Sequence, residues 1–177
     1  MPKNKKTIFK KVKLLVLDVD GVLTKGEIIY DSTGRELKIF NVKDGLGIYL
    51  LSKMDIPTIF LSARNSPMLK KRAKDMGVRE VIGGILPKEN HLNYITDKYK
   101  VEAGKVCFIG DDLIDIGIME NVGIGVAVRD APLIVRKKAD YVTLKRGGEG
   151  AVREVVDLIF KAKNLEKKVY NFVKNPL

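Results

Sequence analysis

Leu14-Leu-Val-Leu-Asp18-Val-Asp20-Gly-Val-Leu-Thr24 is the stretch on which the reading of the fold turns. Four apolar residues run unbroken into two carboxylates at positions i and i+2, and a glycine follows. A continuous apolar run suits a strand covered on both faces, as in a parallel sheet. While the chain stays extended, residues i and i+2 project from one side, so Asp18 and Asp20 point together until Gly21 lets the backbone turn away. Neighbouring carboxylates on an apolar strand repel and lose hydration. A bound cation relieves both costs. The competing reading has the two aspartates capping the turn that follows.

Outward from this stretch, β-rich runs recur at 58–62, 80–82, 106–110, 124–128 and 141–143, with strand one over 14–19. Helical patterns fall between them, at about 45–54, 66–76, 88–99, 113–121, 132–138 and 150–163. This alternation predicts βαβ units and a doubly wound parallel sheet of the α/β class. Gly77 and Gly123 sit where helix C-caps are expected, and Pro132 suits a first helical turn. Residues 25–40 break the pattern. They read as a β-hairpin inserted after strand one, turning through Asp31-Ser-Thr-Gly34, with Leu37 and Ile39 alternating with Glu36 and Lys38. Two isolated strands are marginal in water, so the apolar side needs a partner. Too little chain remains for a cap domain, which makes the hairpin a candidate oligomer contact; a flap packed on its own domain is the alternative.

With 177 residues the chain accommodates one domain, spanning 1–177 and ending in a basic tail over 163–177. No apolar stretch is long enough to cross a bilayer. The basic N-terminus lacks the apolar core of a secretory signal, and the single Cys107 sits in an apolar run where it has no internal disulfide partner. A cytoplasmic protein is expected. The formal charge of +11 suits a phosphorylated substrate or nucleic acid, but many lysines lie in the two tails, 3–13 and 161–174. No nucleic-acid-binding motif accompanies them, which disfavours nucleic acid as the partner.

Ligand sites of doubly wound sheets lie outside the carboxyl ends of the strands. There this chain gathers Asp18 and Asp20, then Ser62-Ala-Arg64 after strand two, Lys88 after strand three, and Gly110-Asp111-Asp112-Leu-Ile-Asp115 after strand four. Asp111 and Asp112 alone are ordinary at a helix start. Beside Asp18 they become the second half of a Mg²⁺ site, since magnesium takes hard oxygen ligands. Arg64 and Arg72, eight residues apart, would share one helix side if the first lies at the helix start, and arginine suits forked recognition of an anion; plain solvent exposure is the alternative for each. His91, the only histidine, has no evident partner.

Together, Asp18-Val-Asp20-Gly-Val-Leu-Thr24, Ser62, Lys88 and Gly110-Asp111-Asp112-Leu-Ile-Asp115 resemble the haloacid dehalogenase superfamily of phosphohydrolases. Phe40-Asn-Val-Lys-Asp44-Gly45-Leu-Gly-Ile48, Val126-Ala-Val-Arg-Asp-Ala131 and Gly147-Gly-Glu-Gly-Ala-Val-Arg-Glu154 look like its small capless branch. That branch holds 3-deoxy-D-manno-octulosonate 8-phosphate phosphatases of lipopolysaccharide biosynthesis and their sialic-acid 9-phosphate relatives. The resemblance implies that Asp18 is the nucleophile and Asp20 the general acid and base. It implies that Asp18, the backbone carbonyl of Asp20, and Asp111 bind Mg²⁺. Asp112 would act through the metal shell, Asp115 would orient the loop, and Ser62 and Lys88 would hold phosphoryl oxygens. Arg64 and Arg72 would contact the substrate, with Asp44 and Gly45 near the site or a subunit contact. A homotetramer, with the C-terminal tail near a neighbouring site, is implied as well. Ala63, Arg129 and Gly83-Gly84 depart from the octulosonate pattern, leaving a sialic-acid 9-phosphate or other sugar phosphate open as substrate. A catalytically silent assembly module is the alternative from another class; it predicts loss of Asp18 or Asp20, and both are present.

Overall fold

β1 (Leu14–Leu17) lies inside a six-stranded sheet, and all four of its side chains are buried. The computed structural model describes residues 5–175, with side chains from residue 8 onward. The other strands are β4 (Thr58–Ser62), β5 (Glu80–Gly83), β6 (Val106–Gly110), β7 (Ile124–Ala127) and β8 (Tyr141–Val142), in the spatial order β5-β4-β1-β6-β7-β8. Every pairing is parallel, with Leu15 opposite Thr58 on one side and opposite Cys107 on the other. The chain winds outward from β1 through β4 to β5, then returns to β6 and winds the other way. The winding reverses between β1 and β6, which is where such sheets open a ligand crevice.

Helices close the sheet. α2 (Val42–Lys53) packs against α7 (Ala151–Lys163), and α5 (Ile116–Asn121) packs against α6 (Leu133–Lys138). α7 buries Val152, Val155, Val156, Ile159 and Phe160, the i, i+3, i+4, i+7, i+8 stripe of a helix with one core face. α3 (Pro67–Asp75) starts on a proline, whose fixed φ suits a first turn. The helical pattern over 88–99 divides into a 3-10 turn (Lys88–His91) and α4 (Leu92–Tyr99), and that over 113–121 into a 3-10 turn (Leu113–Asp115) and α5.

Two readings change. Among the described residues, most of each basic tail is helical rather than a solvated charge run: α1 (Lys5–Lys10) anchors through Phe9, fully buried and edge-on to Tyr141 at 5.7 Å, and packs against α7. α8 (Glu166–Lys174) packs Val169 and Phe172 on the core, with Phe172 6.4 Å from Tyr49. Gly77 does take positive φ after α3, but Gly123 does not. Gly123 is needed because the Gly104 carbonyl oxygen would lie 2.1 Å from an added Cβ.

The insertion forms β2 (Ile29–Tyr30) and β3 (Glu36–Leu37), an antiparallel ribbon. Its turn is tied by Asp31, whose carboxylate accepts from the N–H groups of Thr33 (2.8 Å) and Arg35 (3.0 Å). Several apolar side chains of this segment face outward: Ile28 is 59% exposed, Tyr30 61% and Ile39 68%. The charged side chains of Glu36 and Lys38 turn inward instead. The Lys38 side chain is only 4% exposed.

Candidate active site

The ends of β1 and β6 lie side by side because these strands pair in register, Leu17 opposite Ile109. The next residue's N–H, that of Asp18, donates to the Ile109 carbonyl at 2.9 Å. The register therefore sets Asp18 beside the loop carrying Asp111, Asp112 and Asp115. Asp18, Asp111 and Asp115 each present a carboxylate oxygen within 4.8 Å of the others. Gly21 makes this approach feasible. With φ at +86° it turns the chain, and a Cβ there would stand 2.0 Å from an Asp111 oxygen.

Lys88 lies under the cluster, fully buried, its ammonium 2.8 Å from Asp18 Oδ1 and 2.6 Å from Asp115 Oδ1. Burial alone would discharge it, but the two carboxylates win and raise its pKa above the ordinary 10.5. The other Asp115 oxygen accepts the backbone N–H groups of Asp111 (2.9 Å) and Asp112 (3.2 Å). Both oxygens of Asp115 are thus engaged in holding the loop and the lysine. Asp18 and Asp111 are the carboxylates left facing each other. Burial pushes the Asp18 carboxyl up to about 6; Lys88 opposes this and the negative charge of Asp115 adds to it. Burial, then the charges of Asp18 and Asp115, push Asp111 up to about 8. Three clustered carboxylates sharing one ammonium leave Asp18 and Asp111 as a donor pair for a hard divalent cation, and the residues present fit one.

A cavity of about 240 Å³ opens above this pair, lined by Asp18, Asp20, Ser62, Ala63, Arg64, Asp111 and Asp112, among others. Ser62 is buried at the end of β4, and its Oγ accepts the Arg64 N–H at 3.1 Å. Asp112 turns its carboxylate back to the Leu113 N–H, 2.7 Å away. The structure thus brings Asp18, Asp20, Ser62, Arg64, Asp111 and Asp112 to one cavity, with Lys88 and Asp115 packed against Asp18 and the Asp111 loop.

Three further sequence-predicted residues, Asp44, Gly45 and Arg72, lie away from both the cavity and this cluster. Asp44 is completely buried on α2 and accepts the N–H groups of Gly150 (3.2 Å) and Arg153 (2.7 Å) at the start of α7. Gly45 leaves room for the Arg72 guanidinium, 2.2 Å from where a Cβ would stand, and Arg72 also lies 5.9 Å from the Phe40 ring centroid. Within one chain these residues brace α2, α3 and α7.

Two features escaped the sequence reading. Lys38 reaches from the hairpin to Asp20 Oδ1, while Glu36 bonds Arg64 at 3.1 and 3.3 Å. The second is a lock on the first acid loop. The Gly148 N–H donates to the Val22 carbonyl at 2.9 Å, and Gly147 leaves no space for a Cβ, which would lie 1.6 Å from the Gly21 oxygen. Adjacent glycines were the available signal. Their partner, more than a hundred residues upstream, was not.

Residues 72–155 match a family model described as haloacid dehalogenase-like hydrolase. The chain is 40% identical over 153 residues to the 3-deoxy-D-manno-octulosonate 8-phosphate phosphatase KdsC of Haemophilus influenzae, covering 86% of this chain and 85% of that one. It superposes with TM-score 0.92 and 38% identity on the 3-deoxy-D-manno-octulosonate 8-phosphate phosphatase of Moraxella catarrhalis, solved with a magnesium ion, a phosphate ion and KDO, covering 96% of this chain and 97% of that one. The corresponding phosphatase of Yersinia pestis gives TM-score 0.89 and 39% identity over 91% of this chain and 88% of its own. Sheet order, acidic rim and relatives agree: the chain belongs to the haloacid dehalogenase-like hydrolases, in the branch that holds these phosphatases.

Proposed function

We propose that this chain is a Mg²⁺-dependent phosphomonoesterase that hydrolyses 3-deoxy-D-manno-octulosonate 8-phosphate through an aspartyl-phosphate on Asp18. The observation that carries the reading is the cavity floor. There a buried carboxylate sits between a fixed ammonium and a second, cation-hungry carboxylate, in a chain alike over nearly its full length to a phosphatase solved with magnesium, phosphate and KDO. Asp18, Asp111 and the Asp20 carbonyl would hold the ion. When bound, Mg²⁺ supplies positive charge against the paired carboxylates and a phosphoryl oxygen.

Asp18 attacks phosphorus in line, and the ester P–O bond breaks. Asp20 protonates the departing sugar oxygen, then takes a proton from the water that attacks the aspartyl-phosphate, releasing inorganic phosphate and restoring Asp18. Ser62 and Lys88 contribute donors at the phosphoryl end, where positioning and charge stabilisation provide most of the catalysis. Arg64 takes the anionic part of the sugar. Asp115 orients the Asp111 loop, and Asp112 acts at the edge of the metal site. Of the departures from the octulosonate pattern, Ala63 lines the cavity, whereas Gly83 and Gly84 pack under Asn65 and Arg129 donates to the Leu144 carbonyl. What favours the octulosonate over a sialic-acid 9-phosphate is the 40% identity to an octulosonate phosphatase over most of both chains.

Phosphate release from 3-deoxy-D-manno-octulosonate 8-phosphate should stop with EDTA and resume with Mg²⁺. Failure to hydrolyse this ester with Mg²⁺ present would refute the substrate, and failure with every phosphomonoester the activity. The cation should also reveal itself in stability. In the metal-free protein both Asp18 and Asp111 titrate above their ordinary 3.8, so the folded state binds more protons than the unfolded one. Metal-free stability therefore falls as pH rises from about 4 to about 8. A cation taking the place of those protons binds tighter as pH rises. The Mg²⁺-induced rise in thermal midpoint should be larger at pH 8 than at pH 6; equal rises would count against this site.

The single six-stranded core, the hairpin and α8 are read as one phosphatase domain of a cytoplasmic enzyme; no described helix is long and apolar enough to cross a membrane. We read the outward apolar face of the hairpin as a contact between copies, in a tetramer. Ile39→Lys should then lower the sedimenting mass, and an unchanged profile would remove the hairpin from the interface.

A further inference from the structure

We propose that Lys38 is a positioning residue for Asp20: the inserted hairpin delivers an ammonium that ties down one carboxylate oxygen and leaves the other unbonded at the cavity. The proposal rests on reading Asp20 as the general acid and base. Lysine is almost never fully buried unless paired. Here a lysine on a short surface ribbon has a side chain only 4% exposed, while its apolar neighbours Leu37 and Ile39 stand 45% and 68% exposed. With the apolar face turned away from the domain, where it is free to meet another copy, the inward face of the hairpin is set by what Lys38 touches.

That contact is Asp20 Oδ1. Among the described residues, no group donates to Asp20 Oδ2. Lys38 also lies 3.4 Å from Glu36 Oε1, and Glu36 forks onto Arg64. Four charges of alternating sign, Asp20, Lys38, Glu36 and Arg64, thus run in sequence, and both end members line the cavity. An aspartate has two rotatable bonds, and a proton donor must come within about 3 Å of the oxygen it serves. Small misplacements of such groups cost up to about 10²-fold in rate. The ladder removes that freedom from Asp20. It also makes Arg64, at the far end, share its anchor with the acid.

The test compares two phosphate esters. The sugar oxygen of 3-deoxy-D-manno-octulosonate 8-phosphate needs a proton to depart, whereas the aryl oxide of p-nitrophenyl phosphate departs without one. Both are assayed with wild type, K38M, K38R and D20N, alongside thermal melts. D20N should reduce the ratio of sugar-phosphate to aryl-phosphate kcat/KM at least about tenfold, because kcat/KM reports formation of the aspartyl-phosphate and not the later water step that both esters share. K38M should shift the ratio the same way by about tenfold, and K38R should recover part of the shift. If K38M does not fold, K38Q carries the comparison. Equal losses on both esters in the Lys38 variants, with D20N still splitting them, would overturn the role of Lys38 alone. An unchanged ratio in D20N would overturn the acid–base assignment and this proposal with it.

Discussion

Asp18→Asn is expected to lower kcat by at least about 10⁴-fold while leaving the fold intact. The amide has the same shape, and its oxygen can still accept from Lys88, which stands 2.8 Å from the native carboxylate. It cannot supply the anionic oxygen that attacks phosphorus. Structurally the change removes one of three clustered carboxylates, so repulsion within Asp18, Asp111 and Asp115 falls. The thermal midpoint of the metal-free variant should stay level or rise. Phosphate release and a melting curve measured on one preparation check both halves. Retention of more than about one per cent of activity would move the nucleophile elsewhere. A collapsed midpoint would mean that Asp18 is needed to balance Lys88, and the loss of turnover would then say nothing about chemistry.

Lys88→Met should have the second-largest effect, and on stability before activity. The ammonium has no exposed surface and neutralises Asp18 and Asp115 at 2.8 and 2.6 Å. Removing it leaves buried carboxylates with no fixed positive partner, a change that costs about 3–5 kcal/mol in comparable buried pairs. In a chain of this size that corresponds to a midpoint lowered by about 6–20 °C. Excess Mg²⁺ should restore part of the loss, since a divalent ion among the same oxygens replaces the missing charge. A midpoint within about 2 °C of wild type would show that the carboxylates accept protons at little cost, and that Lys88 does not hold the cluster.

The central strands and their acidic ends were legible because the information is local. An apolar run followed by Asp18-Val-Asp20-Gly21 states its burial, its side and its turn within eight residues. The same holds for Val106 to Asp115, where the strand, Asp111 and the loop-holding Asp115 lie consecutively. What could not be read was the identity of distant partners. The alternation of Glu36, Leu37, Lys38 and Ile39 told of two faces but not which one turns inward; Asp20, eighteen residues upstream, decides that. Asp44 looked like a site residue from its motif, yet its carboxylate is committed to N–H groups 106 and 109 residues away. In the tails, runs of lysine masked Phe9 and the Val169–Phe172 pair, whose apolar surface is enough to order short helices against a core. Arg64 and Arg72 do share α3's vicinity, but one borders the cavity and the other lies over Phe40.

The backbone contact between the Asp20–Thr24 turn and Gly147-Gly148 has a consequence for synthesis on the ribosome. A nascent chain that has emerged through residue 115 already carries every acidic group of the rim, yet the turn bearing Asp20 is not fastened until some thirty residues later. Translation thus delivers the reactive groups first and their clasp near the end, and a chain arrested between these points lacks both that clasp and α7, whose apolar stripe closes the core. Closing so long a loop also places this step among the slow, non-local events of folding.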